Sequence, residues 1–216
     1  MPETLILIPT AGEMNVLARR FSGLPADNVA TELCGFGPVA AAARTAQLIA
    51  ALQPKRIVLT GIAGTFAGKM SPGQAGVFDH VAMYGIGAGT GDTFRNAEEL
   101  GWAHWTESTA DGREIRVGDQ ISLRQGDDDL SAGRQLLTVC SSAATQKDVR
   151  DRLARFPAAV AEDMEGFSVA LAGALAGVPV TIVRGISNIA GDRDKARWRI
   201  VDALNSAADL VLGTIL

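Results

Sequence analysis

Three side chains in this sequence could act together on a polar small molecule: the carboxylates of Glu13 and Glu165 and the amide of Asn188. A carboxylate can accept hydrogen bonds from hydroxyl groups or take a proton from water. An amide can donate and accept hydrogen bonds at once, but it cannot supply a proton. Each residue also has an ordinary structural explanation, because Glu suits a helix start and Asn suits a turn. Their interpretation as a site therefore depends on whether the fold brings them together.

The predicted elements would bring all three to one edge of a sheet. Short apolar runs alternate with helical segments, which predicts one α/β domain over residues 1–216 with a largely parallel or mixed sheet. Four polar segments then fall at the C-terminal ends of predicted strands: 10–13, 61–64, 163–165 and 187–188. Open α/β sheets bind ligands at that edge.

The pattern also gives bounds for the elements. We predict strands over residues 4–9, 29–34, 56–60, 76–84, 135–140, 158–162 and 180–184. Helices are predicted over 13–21, 38–52, 145–156 with Thr145 as its cap, 165–176, and from 193 to near 216. Residues 61–64 are interpreted as a loop, and 85–129 as an excursion of short strands and long loops.

Composition and charge exclude several functional classes. The 216 residues are 47% hydrophobic and 20% charged, enough for one sizeable core. The net charge of −4 and the lack of a basic run argue against a nucleic-acid partner. The longest apolar stretch, 169–183, is interrupted by Gly and Pro and is too short to span a bilayer. Without a basic signal-peptide start, a cytoplasmic protein is expected.

Nothing in the sequence indicates a metal or cofactor. His80 and His104 are isolated from ligand-spaced partners. The alternating glycines of 85–91 do not form a dinucleotide fingerprint and are interpreted as a mobile flap. The three aspartates at 127–129 are interpreted as a solvated turn. Cys34 and Cys140 both lie in apolar stretches and are expected to be buried, reduced thiols.

Four ordered segments resemble one known family. They are GFGPVAAAARTAQLI at 35–49, VLTGIAGTF at 58–66, AEDMEGFSVALA at 161–172 and VPVTIVRGISNIAGDRD at 178–194. They are similar to the purine nucleoside phosphorylase and nucleosidase superfamily, above all to its hydrolase branch of methylthioadenosine/S-adenosylhomocysteine nucleosidases and futalosine hydrolases. The resemblance is weak over 85–133. It implies a three-layer αβα fold with a central twisted mixed sheet, and a homodimer or higher homo-oligomer in which a neighbouring subunit helps close each site.

The resemblance also implies roles for individual residues. Glu13 matches the carboxylate that orients and deprotonates the attacking water, and Glu165 matches the one that accepts hydrogen bonds from ribose hydroxyls. Met164 matches the residue that packs under the ribose. The other expected substrate contacts are Gly64 and Asp163 in the strand-end segments, and Phe156, Val139 and Ser142 near the base-stacking wall. The aromatic residue usual at that wall in the nucleosidases is missing here.

The segment before residue 61 bears on the nucleophile. Phosphorylases hold phosphate with arginines, commonly one at this place, whereas here Leu59 and Thr60 precede the glycine segment. This departure from the relatives favours water as the nucleophile. Arg44 or Arg184 could still bind phosphate, although Arg184 is better explained as a partner for Asp163.

Asn188 bears on the base, because adenine-specific nucleosidases carry Asp at this position. An Asn can donate to O6 of a 6-oxopurine and accept from N7–H, and a mispaired buried polar edge discriminates by roughly 10⁴–10⁵-fold. The implied base is hypoxanthine or guanine. Asp192, Arg193, Asp194 and Trp198 follow as in futalosine hydrolases, which release hypoxanthine from futalosine in menaquinone biosynthesis. Arg193 or Arg197 could meet the carboxylate of the futalosine tail.

Three hypotheses follow from the sequence. The first is an N-glycosidase that hydrolyses futalosine to hypoxanthine and dehypoxanthine futalosine. The second is a nucleosidase for methylthioadenosine, S-adenosylhomocysteine or aminodeoxyfutalosine. The third is a non-catalytic nucleoside-binding protein, since a fold does not determine a function.

Overall fold

The structure is a computed structural model that describes residues 1–108, 114–124 and 133–215. Its helices are α1 (Ala11–Phe21), α2 (Pro38–Leu52), α3 (Gln146–Arg155), α4 (Gly166–Ala176) and α5 (Ile200–Leu210). Short 3-10 turns cover Gly91–Thr93, Glu98–Leu100 and Lys195–Arg197, and a π turn covers Val211–Ile215. None of the helices among the described residues is long and apolar enough to cross a membrane.

Within the described ranges, nine strands form one mixed sheet. They are β1 (Thr4–Ile8), β2 (Val29–Leu33), β3 (Arg56–Thr65), β4 (Ala75–Phe78), β5 (His80–Tyr84), β10 (Gln120–Ser122), β11 (Gln135–Val139), β12 (Ala159–Asp163) and β13 (Val180–Ile189). Seven run in the order β10-β5-β11-β12-β3-β1-β2, and β13 pairs with β3 and β4. β12 is antiparallel to β3, whereas β1 and β13 are parallel to it.

Helices cover both faces of this sheet, which confirms the predicted three-layer fold. Alternate side chains of a strand point to opposite faces, and Leu5 and Leu7 of β1 pack in one cluster with residues of α2 and α4. Ile6 and Ile8 pack in another with residues of α1 and α5. Fully burying each such side chain stabilises the fold by about 1.5–3 kcal/mol. This two-sided burial explains why β1 appears in the sequence as an unbroken apolar run.

Two strands extend further than their apolar patterns indicate. The prediction of a loop over 61–64 is wrong, because β3 continues to Thr65. β13 likewise passes Arg184 and includes Asn188, which was expected to follow the strand. The reason is tertiary: β3 and β13 pair with each other along most of their length, so residues that lack a strand-like pattern still find ladder partners.

Other boundaries also differ. The single strand predicted over 76–84 is two strands, because the chain turns at Asp79, whose N–H and carboxylate both bond to the backbone of Arg134. The closing helix predicted from 193 begins only at Ile200. In the described part of the excursion predicted over 85–129, two small ladders form, β6 (Gly87–Ala88) with β7 (Arg95–Asn96) and β8 (Trp105–Ser108) with β9 (Glu114–Val117), and β10 joins the main sheet. Residues 127–129 lie outside the described residues.

The two cysteines have different environments. Cys34 is buried, as predicted, and burial raises the pKa of its thiol to about 12. The prediction for Cys140 is wrong: it follows β11 and is exposed. A thiol one residue beyond a buried strand is no longer covered by the helices that flank the sheet.

Candidate active site

A cavity of about 450 Å³ opens at the predicted edge of the sheet. It is lined by residues that follow β1 and β12, by the second halves of β3 and β13, and by part of the segment between β13 and α5. Seven of the nine predicted site residues line it: Glu13, Gly64, Ser142, Asp163, Met164, Glu165 and Asn188. The fold therefore brings Glu13 and Asn188, which are 175 positions apart in sequence, to the same cavity.

Glu13 is held at the start of α1 by the sequence that precedes it. Thr10 caps this helix, accepting from the Glu13 amide at 3.3 Å and donating from its hydroxyl to Glu13 Oε2 at 2.6 Å. The amide of Ile62 donates to Glu13 Oε1 at 2.9 Å. The side chain is buried, so the capping residue and the neighbouring strand fix a carboxylate that helix-dipole placement alone would have left exposed.

A buried arginine organises the other carboxylates. Arg184 donates from Nε to Asp163 Oδ2 at 3.1 Å and from Nη2 to Glu165 Oε2 at 3.1 Å. Asp163 also accepts from the Thr138 hydroxyl at 2.7 Å and from the Gly166 amide at 2.8 Å. Breaking a buried ion pair by removing one partner typically costs about 3–5 kcal/mol. Asp163 therefore serves mainly to hold Arg184, and Arg184 holds Glu165.

Glu165 has a second, independent restraint from the turn after β2. The Gly37 amide donates to Glu165 Oε1 at 3.0 Å, and Gly37 adopts a φ of 82°, a backbone conformation that favours glycine. Burial raises the pKa of Glu165 to about 7, because desolvation outweighs the attraction of the Arg184 guanidinium. The site thus holds a carboxyl group that changes charge near neutral pH.

Gly61 provides space for two of these charged groups. A Cβ atom at this position would lie 2.5 Å from Arg184 Nη1 and 2.7 Å from Glu13 Oε1. The glycine therefore brings a cation and a carboxylate close to the β3 backbone. The sequence indicated a functional role for residues 61–64 as a loop. In the structure Gly61 is part of β3, and its lack of a side chain leaves room for Arg184 and Glu13.

The orientation of Asn188 is set by its neighbours on β13. The Ser187 hydroxyl donates to Asn188 Oδ1 at 2.8 Å, and Asn188 Nδ2 donates to the Ile189 carbonyl at 3.0 Å. The pairing of β13 with β3 shifts register between Ile186 and Asn188. Such a bulge re-aims side chains, which explains why Ser187 and Asn188, adjacent in a strand, both line the cavity.

The loop after β11 is tied to β12 by an ion pair. Glu162 Oε1 accepts from the Ala143 amide at 2.7 Å, and Arg152 of α3 pairs with the other carboxylate oxygen. Arg152 Nη2 also donates to the Ser141 carbonyl at 2.6 Å. Burial raises the pKa of Glu162, while Arg152 and the Ala143 amide oppose that change. This pair fixes the loop that carries Ser142.

Two predicted wall residues lie elsewhere. Phe156 and Val139 are buried in a core cluster that includes Phe66 and Val149 and do not line the cavity. Phe156 also contacts the Tyr84 ring edge-on at a centroid distance of 6.5 Å. Their apolar character fits a core position equally well, and the sequence contains nothing that distinguishes the two environments.

Several lining residues were not predicted as site residues. Phe36, Glu162, Lys195 and Ile200 line the cavity, as does Trp198. Glu162 was not predicted because the sequence places it as the last residue of the strand predicted over 158–162, directly before Asp163 and Glu165. A signal for Trp198 existed, since it lies in the polar segment after Asn188.

The fold and the site together define the class of protein. A family model described as the Phosphorylase superfamily matches residues 18–215, and the chain belongs to this superfamily. Within it, the chain is an N-glycosidase of the nucleosidase branch that includes futalosine hydrolases and methylthioadenosine/S-adenosylhomocysteine nucleosidases.

Three relatives illustrate the similarity. The futalosine hydrolase of Streptomyces coelicolor is 36% identical over 182 residues, which cover 82% of this chain and 74% of that protein. The 5′-methylthioadenosine/S-adenosylhomocysteine nucleosidase of Maridesulfovibrio salexigens is 27% identical over 186 residues, with coverage of 82% and 74%. The solved structure of futalosine hydrolase from Helicobacter pylori superposes with a TM-score of 0.76 at 14% identity, over 98% of this chain and 96% of that one. This last likeness concerns the fold alone.

Proposed function

We propose that the protein hydrolyses the N-glycosidic bond of futalosine and releases hypoxanthine. The observation that carries the proposal is the convergence of Glu13, Glu165 and Asn188 on one cavity. The 36% identity to a futalosine hydrolase over most of the chain supports the substrate. The proposed substrate contacts also include Gly64, Ser142, Asp163 and Met164, which line the same space.

The two glutamates have different tasks in this reaction. Cleavage of the C1′–N9 bond sends its electron pair to the purine and leaves positive charge on the ribose. Glu165, held by Arg184 and the Gly37 amide, accepts hydrogen bonds from the ribose hydroxyls and favours that cation. Glu13 takes a proton from the water whose oxygen bonds to C1′, and such general-base assistance is worth roughly 10²–10⁴-fold.

Water is favoured over phosphate by the positions of the candidate arginines. Arg44 does not line the cavity; it bonds to Gln47 and Glu32 near the surface. Arg184 is buried and engaged by Asp163 and Glu165. Neither guanidinium lines the cavity in which a phosphate would have to bind.

Asn188 retains the groups needed for a 6-oxopurine. Ser187 uses one lone pair of its Oδ1 and Ile189 receives one hydrogen of its Nδ2. The amide oxygen has two lone pairs and the NH₂ group has two hydrogens. One acceptor and one donor therefore remain for the base. The remaining donor meets O6 and the remaining acceptor meets N7–H of the departing hypoxanthine, whose N7 proton comes from solvent.

The decisive experiment is an incubation with futalosine in phosphate-free buffer, followed by chromatography of the released base. Hypoxanthine release without phosphate is the expected result. Release only after phosphate is added would make the protein a phosphorylase. Faster cleavage of methylthioadenosine, S-adenosylhomocysteine or aminodeoxyfutalosine would assign it to the adenine nucleosidases, and tight binding without release would make it a binding protein.

We also propose that the protein works as a homodimer in which a second copy covers the mouth of the cavity. Phe36 lines the cavity but is 66% exposed, and Val39 on the first turn of α2 is 84% exposed. Large apolar side chains beside an open site are typical of a surface that is covered in the active assembly.

A further inference from the structure

The base end of the cavity contains a cation to which the two-glutamate mechanism gives no task. Arg193 lines a recess of about 50 Å³ together with Gly64, Ser142, Asn188 and Trp198. Its Nη1 donates to the Ser142 hydroxyl at 3.1 Å, and its Cζ lies 5.5 Å from the centre of the Trp198 ring. The guanidinium is thus held from two sides beside the amide that contacts the base.

We propose that Arg193 is a specificity-determining residue for the leaving base. Its guanidinium donates to the acceptor edge of a 6-oxopurine and stabilises the negative charge that the purine gains as the C1′–N9 bond breaks. This inference rests on the proposed function and extends it, because it assigns the base selectivity to two residues, Asn188 and Arg193.

Asn188 and Glu162, which also line the recess, cannot stabilise the negative charge of the departing purine. Asn188 can donate a hydrogen bond but cannot supply a proton. Glu162 also lines the recess, yet its carboxylate oxygens accept from Arg152 and the Ala143 amide. Neither residue can neutralise a purine anion. A guanidinium keeps its charge throughout the pH range of the reaction and strengthens its hydrogen bonds as charge develops on the acceptor.

The same guanidinium discriminates between bases. It carries only donors, so it bonds favourably to O6 of hypoxanthine and opposes the exocyclic amine of adenine. Asn188 can flip its amide to suit either edge, at the expense of its bonds to Ser187 and Ile189. Arg193 has no acceptor to present to the amine of adenine. It therefore favours the 6-oxopurine over adenine.

Position separates this role from recognition of the substrate tail. Arg193 and Asn188 share the recess, whereas Glu13 and Phe36 line only the wider part of the cavity. Lys195, two residues further on, also lines the wider part and not the recess. Of these two neighbouring cations, only Arg193 shares the recess with Asn188, which is where the proposal puts the base.

The test compares two substrates that differ only at position 6 of the purine, futalosine and aminodeoxyfutalosine. In Arg193→Met, kcat/KM for futalosine is expected to fall by about 10- to 100-fold, the range for loss of a charged hydrogen bond. The value for aminodeoxyfutalosine should fall much less or rise. Arg193→Lys should recover part of the loss, because it restores the charge without the planar fork. Lys195→Met is the matched control and should leave the ratio of the two substrates unchanged.

The proposal is overturned if Arg193→Met leaves the ratio of the two kcat/KM values unchanged, whether both values fall equally or neither falls. Circular dichroism and thermal denaturation identify any variant that fails to fold, in which case Arg193→Lys decides on the same ratio. Calorimetric binding of free hypoxanthine and adenine gives a readout that does not need turnover. If wild-type protein fails to cleave futalosine, the proposed function fails. In that case binding decides on the role of Arg193: the proposal is overturned if Arg193→Met binds hypoxanthine as tightly as wild type does.

Discussion

At the scale of single residues, the site depends on side chains whose hydrogen bonds are already committed before a ligand arrives. Glu13 and Glu165 each accept from a backbone amide, of Ile62 and Gly37 respectively. Asn188 is held by Ser187. Such preorganisation lets a site stabilise a transition state without reorganising at the moment of reaction.

Asn188→Asp tests the proposal that Asn188 selects the base. We expect kcat/KM for futalosine relative to aminodeoxyfutalosine to fall by about 10²-fold, because an ionised Asp repels O6 while a protonated one can serve N7 of adenine. Steady-state kinetics on the two substrates measure this ratio. Asn188→Ala is the control, since it removes the amide without adding a carboxyl and should lower both values. An Asp variant that keeps the futalosine preference would contradict the assignment.

Glu165→Gln tests the proposal that Glu165 accepts hydrogen bonds from the ribose hydroxyls. We expect kcat to fall by about 10²–10³-fold, comparable to the loss of one transition-state contact, while hypoxanthine still binds because the base end is untouched. Single-turnover kinetics and calorimetry separate the two effects. Glu32→Gln, which alters a half-exposed carboxylate paired with Arg44, is the control and should retain wild-type kcat. Undiminished turnover in Glu165→Gln would refute its role.

The raised pKa of Glu165, about 7, predicts opposite pH trends for activity and stability. The proposed mechanism requires the ionised carboxylate of Glu165, so kcat/KM should rise with pH through about 7. The folded state binds this proton more tightly than the unfolded chain, whose carboxyl has a pKa near 4.5. Between those values the native state holds more protons, so this group's contribution to stability falls as pH rises.

A pH profile of kcat/KM and thermal denaturation at pH 5 and pH 8 check these trends. In Glu165→Gln, the Glu165 contribution to the difference in stability between pH 5 and pH 8 should disappear. A flat activity profile across pH 6–8, with chemistry rate-limiting, would show that Glu165 is already ionised there.

At the scale of elements, β3 and β13 form the ligand edge by running side by side past the point where their apolar patterns stop. Helix α2 and the Thr145 cap of α3 could be read from sequence, because proline, capping residues and apolar spacing are local signals. Residues 61–65 carry no such signal; they are in a strand because β13 supplies the partner. The bulge at Ser187 has the same origin. The core positions of Phe156 and Val139 are set by other tertiary packing, in a cluster with Phe66 and Val149.

Gly61→Ala tests the clearance between these strands and the charged cluster. The new Cβ would meet Arg184 Nη1 and Glu13 Oε1 at under 3 Å, and overpacking of this kind costs about 1–3 kcal/mol. We expect a lower free energy of unfolding in urea together with a loss of kcat. Gly23→Ala is the control, since a Cβ there meets nothing within 4 Å. Wild-type stability and kcat in Gly61→Ala would show that the cluster has room to move.

At the scale of the whole molecule, a net charge of −4 coexists with a cavity whose lining contains both acidic and cationic side chains. Glu13, Glu165 and Lys195 line the wider part of the cavity but not the recess, whereas Arg193 lines both. In the proposed reaction, Glu13 and Glu165 would face the positive charge that develops on the sugar, and Arg193 would face the negative charge on the base. The open mouth beside Phe36 is the part of this arrangement that one copy of the chain leaves exposed.

Val39→Glu tests whether a second copy covers that mouth. A buried unpaired charge at an interface costs several kcal/mol, so we expect the variant to sediment at the mass of one chain while wild type sediments at twice that mass. Its kcat/KM for futalosine should fall, because the mouth of the cavity beside Phe36 would no longer be covered, whereas its circular dichroism should remain that of wild type. Leu175→Glu, at a less exposed apolar position on α4, is the control and should stay dimeric. A wild-type protein that is fully active as a monomer at assay concentrations would contradict the proposed assembly, and it would mean that the cavity closes with residues of a single chain.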